Sequence, residues 1–115
     1  WQLYVCDETG MPALRRRLEA LQTLAECPQV TALVMVKEGA DKAYLAGFDD
    51  FNIEWIAGYD AAIVAARLAQ LTVPPSDYFI WLTGEGKVVK NLTDGFVTDA
   101  IDPQLVRSSA YWHAK

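Results

Sequence analysis

The chain has 115 residues, 52% of them hydrophobic and 22% charged, which suits a single folded domain and argues against disorder. A net charge of −5 argues against a nucleic-acid partner, which selects clustered Lys and Arg, although an acidic surface still permits a local basic patch for phosphate groups. No apolar run approaches the length of a membrane span and no charged segment precedes an apolar one, so neither a membrane span nor a signal peptide is expected.

In chain order, residues 2–6 read as a short apolar strand that begins directly after Trp1, as in a fragment of a longer protein whose upstream part is missing. Asp7, Glu8, Thr9 and Gly10 follow, then a helix with apolar positions at Met11, Leu14, Leu18, Leu21 and Ala25. That is the spacing of an amphipathic helix, with Arg15, Arg16, Glu19 and Gln22 outward. Pro12 fits the first helical turn, and the acids and Thr9 offer acceptors for the unpaired amides there. Residues 30–36 are a nearly continuous β-branched run, as expected of a parallel strand covered on both faces. Residues 43–46 fit a short helix or an edge strand equally well. Residues 51–55 alternate, which suggests a strand with one exposed face. Asp60 is a candidate N-cap for a helix over 61–71 that ends at Pro74 and Pro75. Residues 78–82 form another dense apolar run, followed by Thr83, Gly84, Glu85 and Gly86 and then a helical pattern with Val88, Val89, Leu92 and Phe96 inward. Asp102 and Pro103 open a short turn or helix through Arg107, and the chain ends on Tyr111, Trp112 and three further residues. Cys6 and Cys27 are the only cysteines and are expected to stay reduced; with the sole His113 they lack metal-ligand spacing.

Strands alternating with helices imply right-handed crossovers and a parallel sheet, a three-layer Rossmann-like α/β fold of about five strands. Ligands of such sheets sit at the carboxyl ends of the strands, so two segments carry the functional expectation. In the first, residues 7–12, Gly10 permits a tight turn and a close ligand approach, while the following helix aims free N–H groups and its positive end at one spot. This suits a pyrophosphate, although it lacks the full G-x-G-x-x-G pattern; alone, it also fits a capped helix start and nothing more. In the second, residues 83–87, Gly84 and Gly86 flank Glu85, and Lys87 and Lys90 lie just beyond, placed for a phosphate or simply solvated. Tyr111 and Trp112 are read as packing against this domain, as a stacking wall beside a cofactor, or as an interface with an absent domain.

These stretches resemble the siderophore-interacting protein family, the flavin-dependent ferric-siderophore reductases. Its D-E-T-x-x-P-A motif is matched by Asp7, Glu8, Thr9, Gly10, Met11, Pro12 and Ala13, with Leu18 and Glu19 following. Its Y-x-W-x-x-G-E motif is matched by Tyr78 through Trp81 to Gly84 and Glu85, its closing Y-W by Tyr111 and Trp112, and its middle-strand tryptophan by Trp55. The resemblance covers nearly the whole chain. The loop with Thr9, Gly10, Met11 and Pro12 also looks like a shortened relative of the G-T-G-I-A-P loop of ferredoxin-reductase-type flavoenzymes. Three departures stand out. Gly10 replaces a more usual Ala, a change that looks sterically mild. Lys87, Lys90 and Asn91 stand where arginines are usual, and Ala110 and His113 flank Tyr111 and Trp112 where Gly and Arg are usual. Lysine lacks the bidentate fork of arginine, which leaves NADH or NADPH open.

The resemblance implies that residues 1–115 form one NAD(P)H-binding domain, partnered by an N-terminal FAD-binding β-barrel of the same polypeptide. The whole would be a cytoplasmic oxidoreductase passing hydride to FAD and electrons to a ferric siderophore, with the fragment alone inactive. No acid–base or covalent catalyst and no protein-held metal is expected, since the cofactors carry the chemistry. The expected nucleotide contacts are Asp7, Glu8, Thr9, Gly10, Met11 and Pro12, then Thr83, Gly84, Glu85, Lys87 and Lys90, and Tyr111 and Trp112. A receiver domain is a weak rival, since no strand end presents a central phosphoacceptor Asp. A non-catalytic interaction domain of the same architecture is the stronger alternative.

Overall fold

A computed structural model describes residues 1–26, 28–37, 45–48, 51–58, 61–75, 77–96 and 101–112. Five strands form one parallel sheet: β1 (Gln2–Asp7), β2 (Val30–Val36), β3 (Asn52–Ala57), β4 (Phe79–Glu85) and β5 (Val106–Trp112), in the order β3-β2-β1-β4-β5. The helices are α1 (Met11–Gln22), α2 (Ala61–Leu68) and α3 (Gly86–Phe96), with short 3-10 turns at Glu8–Gly10 and Pro103–Leu105. This is the α/β architecture expected, and β2 is buried along its whole length as a doubly covered parallel strand must be.

The side-chain pattern divides the core between the two faces. On one face Leu14, Leu18 and Leu21 of α1 pack with Tyr4, Cys6, Ala32, Val34 and Val36, joined by Leu45, Phe48 and Phe51. On the other, Val64 and Leu68 of α2 and Leu92 of α3 pack with Leu3, Val5, Leu33, Met35, Ile80 and Leu82. The strands therefore alternate sides residue by residue, with Tyr4 opposite Trp81 on the α1 face and Leu3 opposite Ile80 on the other.

Several expectations are corrected. Residues 83–85 are the last residues of β4, hydrogen-bonded to β5, and α3 begins at Gly86 with no intervening loop. Residues 106–112, the first two of them expected to close a short turn or helix, are instead an edge strand next to β4, so β4 is not the last strand. Trp55 lies on β3, an edge strand and not a middle one. Ala25 is exposed beyond the end of α1. α2 stops at Leu68, after which Gln70 and Leu71 donate to carbonyls three residues back, the tightening common at a helix end. Of the open segment 43–46 only 45 and 46 are described, and Cys27, Asp60 and His113 lie outside the described residues.

One ion pair ties α2 to the sheet edge. Arg67 donates from Nε and Nη2 to the two carboxylate oxygens of Glu54 on β3, at 2.5 and 2.6 Å, the planar fork that arginine supplies. This hydrogen bonding holds the Glu54 carboxyl below its ordinary range. A carboxyl lowered in the folded state contributes stability above its unfolded pKa and loses it as pH falls through the folded value. Urea midpoints taken against pH should therefore show Glu54→Gln less stable than the parent at neutral pH, with the gap closing below about pH 5 as the parent loses the pair.

Candidate functional site

The chain leaves β1 toward β2 on one side, and later β4 toward β5 on the other, while β1 and β4 pair directly. The connections thus diverge between β1 and β4, and a crevice opens at their carboxyl ends, the place where ligands of open parallel sheets bind. The two segments singled out in the sequence meet there. A Cβ built on Gly10 would stand 3.0 Å from Thr83 Oγ1, and one built on Gly84 would stand 3.4 Å from Asp7 Oδ2.

On the β1 side, Asp7 is buried and its carboxylate is fully engaged. Oδ1 accepts from the Thr9 amide at 2.9 Å and from the Thr9 hydroxyl, and Oδ2 accepts from the Trp112 indole N–H at 2.6 Å. Asp7 therefore caps the 3-10 turn and fastens the end of β5 across the crevice. Glu8 turns the other way and accepts from the Lys37 amide. Both acids serve backbone and indole donors, which removes the difficulty of placing them beside a diphosphate. Met11 is buried and Pro12 exposed in the first turn of α1; the residue before them, Gly10, brings no side-chain cap. The Met11 amide is taken by the Glu8 carbonyl and Pro12 has no N–H, so what the start of α1 offers an anion is the positive end of its dipole, with no acidic residue in the first turn.

The β4 side differs. Thr83 is fully buried and its hydroxyl donates to the Val5 carbonyl at 3.4 Å. Gly84 has φ of +142°, a conformation that side-chain-bearing residues rarely adopt. Glu85 is buried and caps α3, its Oε2 accepting from the amides of Lys87 at 2.9 Å and Val88 at 3.1 Å. A carboxylate already occupies the start of α3, so an anionic phosphate is better placed at α1. Lys87 is exposed, and Lys90 pairs with Asp94 one turn further along α3 at 3.0 Å, directed along the helix rather than across the crevice.

Tyr111 is 43% exposed, sits at the irregularity where β5 shifts register against β4, and meets Trp81 edge-on at 6.2 Å. The Asp7 to Trp112 bond and β5 itself were missed in the sequence because Ser108, Ser109 and Ala110 give an edge strand no apolar alternation. Cys6 lies buried beneath Gly10, and burial together with the neighbouring Asp7 charge pushes its thiol far up, so it stays protonated and is no nucleophile. Among the described residues no cluster of His, Cys, Asp and Glu could hold a metal ion, and no helix is long and apolar enough to cross a membrane.

The sequence model of the siderophore-interacting protein family matches residues 1–115. The chain belongs to this family. It is 64% identical over 115 residues to an NADPH-dependent ferric-chelate reductase of Escherichia coli strain K12, covering 100% of this chain and 45% of that protein. The siderophore-interacting protein SipS of Aeromonas hydrophila superposes with a TM-score of 0.72 at 19% identity, over 98% of this chain and 51% of that one. A siderophore utilization protein from T. fusca gives 0.71 at 23%, over 97% and 44%. The flavohem-like FAD/NAD-binding domain of a Vibrio cholerae nitric oxide dioxygenase gives 0.70 at 13%, over 98% and 51%. At such identities these structures establish the fold. The chain spans about half the length of the relatives it matches.

The Gly for Ala departure at position 10 is not mild in this member of the family. A Cβ there would lie 2.8 Å from the Cys6 Cβ, closer than such atoms approach, and neither belongs to a flexible side-chain end. Gly10→Ala should cost about 1–3 kcal/mol in a urea titration, the range for overpacking. The double variant Gly10→Ala with Cys6→Gly should be more stable than the sum of the two single changes; strict additivity would mean that the contact is relieved elsewhere.

Proposed function

We propose that residues 1–115 are the NAD(P)H-binding domain of a cytoplasmic, flavin-dependent ferric-siderophore reductase whose FAD is held by an N-terminal β-barrel of the same polypeptide. The observation that carries this reading is the crevice between β1 and β4, where α1 starts with no acidic residue in its first turn and Gly10 packs on Cys6 and Thr83. What suits a dinucleotide diphosphate there is the positive end of the α1 dipole, at a helix start with no acid in its first turn and with Gly10 letting the turn pack closely on Cys6 and Thr83. The name of the E. coli relative supports the ferric-chelate substrate and the choice of NADPH.

Residues divide by task. Gly10, Met11 and Pro12 border the diphosphate position, with Thr9 and Asp7 shaping the turn beneath it. Thr83, Gly84 and Glu85 border the ribose and nicotinamide, and the buried Glu85 carboxylate keeps phosphate away from α3. Tyr111 and Trp112 wall the same side, Trp112 set by its bond to Asp7. Lys87, exposed at the start of α3, adds positive charge at the rim of this side, whereas Lys90 is drawn along the helix by Asp94. When bound, the reduced nicotinamide would supply hydride chemistry to a flavin held by the other domain, with the ferric chelate as the substrate that takes up the electrons. This chain binds, orients and excludes water; it donates no proton to the reaction and needs no side-chain catalyst.

The test is a titration of the full-length protein with NADPH, read by quenching of tryptophan fluorescence. Saturable quenching is expected, with affinity lowered at least about tenfold by Gly10→Val in a variant whose circular dichroism matches the parent, and less by Lys87→Ala. Unchanged affinity in Gly10→Val removes the diphosphate from α1. Absence of quenching at millimolar NADPH favours a non-catalytic interaction domain.

A further inference from the structure

The α1 face of the sheet is covered over β3, β2 and β1 by α1 and by Leu45, Phe48 and Phe51, but no described element covers it over β4 and β5. Strand alternation turns Phe79 and Trp81 of β4, and Arg107, Ser109 and Tyr111 of β5, toward this uncovered side. The aromatic rings run together: Tyr4 meets Phe79 at 6.1 Å and Trp81 at 5.7 Å, and Trp81 meets Tyr111 at 6.2 Å. Between this row and α1 lies a cleft of about 250 Å³ lined by Tyr4, Ala13, Arg17, Phe79, Trp81 and Arg107. It sits on the flank of the sheet, beside the middle of the strands, whereas the nucleotide crevice opens at their carboxyl ends.

Two features show what this cleft accepts. In a chain of net charge −5, both of its ionised side chains are cationic, and neither Arg17 nor Arg107 has a carboxylate partner among the described residues. Arg17 is held in place, its Nε donating to the Tyr4 hydroxyl at 3.0 Å and its guanidinium 5.7 Å over the Phe79 ring. Burial keeps the Tyr4 phenol neutral, its ionisation pushed upward. The outer edge of β5 is lightly protected: residues 107–111 are exposed and hold no Pro or Lys, so that Arg107 and the irregularity at Tyr111 are the devices there that blunt a sheet edge.

We propose that this face docks the other half of the reductase polypeptide, through an apolar segment carrying a carboxylate that pairs with Arg107 and Arg17. The proposal rests on the reading that the chain is one domain of a longer enzyme, and it names the surface used. Proteins matching it are about twice its length, and a second domain of equal size packs through several hundred Å² of mixed apolar and polar surface. An aromatic row edged by two arginines has that character, and tryptophan, tyrosine and arginine are the residues that most often anchor interfaces.

The experiment measures thiol-labelling rates in the full-length protein with Cys27 replaced by Ser, comparing Ser109→Cys on β5 with Glu19→Cys on the outer side of α1. Each rate is divided by that of the same variant in urea. Ser109→Cys is expected to label at least about tenfold more slowly than Glu19→Cys, independently of protein concentration, and Arg107→Glu is expected to erase most of that protection while Arg107→Lys retains it. Equal labelling at both positions overturns the proposal, leaving an open surface or a site for a small anion. Protection that appears only as concentration rises also overturns it, in favour of a second copy of the chain. Neither readout involves NADPH, so a failed nucleotide titration and a failed docking test remain distinguishable.

Discussion

β1 is the strand on which the rest of the molecule depends, because it is paired in parallel on both sides, with β2 and with β4. A central parallel strand has no face or edge left for water, and Leu3, Tyr4, Val5 and Cys6 are accordingly buried. The same double pairing forces the two crossovers to depart in opposite directions. A gap then has to open where β1 and β4 end, since no connection closes over it. The crevice follows from strand order, and the residues that line it follow from which strands end there.

Within the crevice the two sides have opposite electrostatic preparation. The start of α1 carries no acidic residue in its first turn, whereas α3 begins under the Glu85 carboxylate. One helix start is thus open to an anion and its neighbour is closed to one, a polarity that would orient the proposed dinucleotide. Asp7 completes the arrangement from below. Spending both carboxylate oxygens on Thr9 and Trp112, it joins the first strand to the last across the full width of the site. An acid that looked like an unsuitable neighbour for a phosphate is a structural clamp.

How much of this was legible in the sequence depends on burial. β2 declared itself through a nearly continuous apolar run, because both of its faces are covered, and the first part of β4 through a dense apolar run of which only Ile80 and Leu82 are fully buried. α1 was legible through the spacing of Met11, Leu14, Leu18 and Leu21, which pack on one face of the sheet. β5 left no such mark, since an edge strand with five successive exposed residues needs no apolar alternation. The candidate segments 7–12 and 83–87 were found, but their internal geometry was not. That Thr83 to Glu85 belong to a strand, and that Glu85 faces the amides of the following helix, depends on the pairing of β4 with β5, a contact between residues distant in the chain.

The exposed side of β4 and β5 follows from the same topology. In a doubly wound sheet each face receives the helices of only one set of crossovers, so α1 serves the β3-β2-β1 half and α2 and α3 serve the other face. On the α1 side no described element covers the β4-β5 half, and large aromatic side chains placed there are only partly buried by the described residues. Phe79 and Trp81 are only half-buried, and Tyr111 less so. Smaller polar residues would suit a face that stays in water, and Ser109 shows that the strand tolerates them. The aromatic row with Arg17 and Arg107 therefore suits a surface whose burial is completed by further polypeptide, and it lies beside the β5 end that carries Trp112 into the crevice. A partner seated on this face would brace β5, whose end holds Trp112 against Asp7, and would thereby bear on the geometry of the proposed nucleotide site.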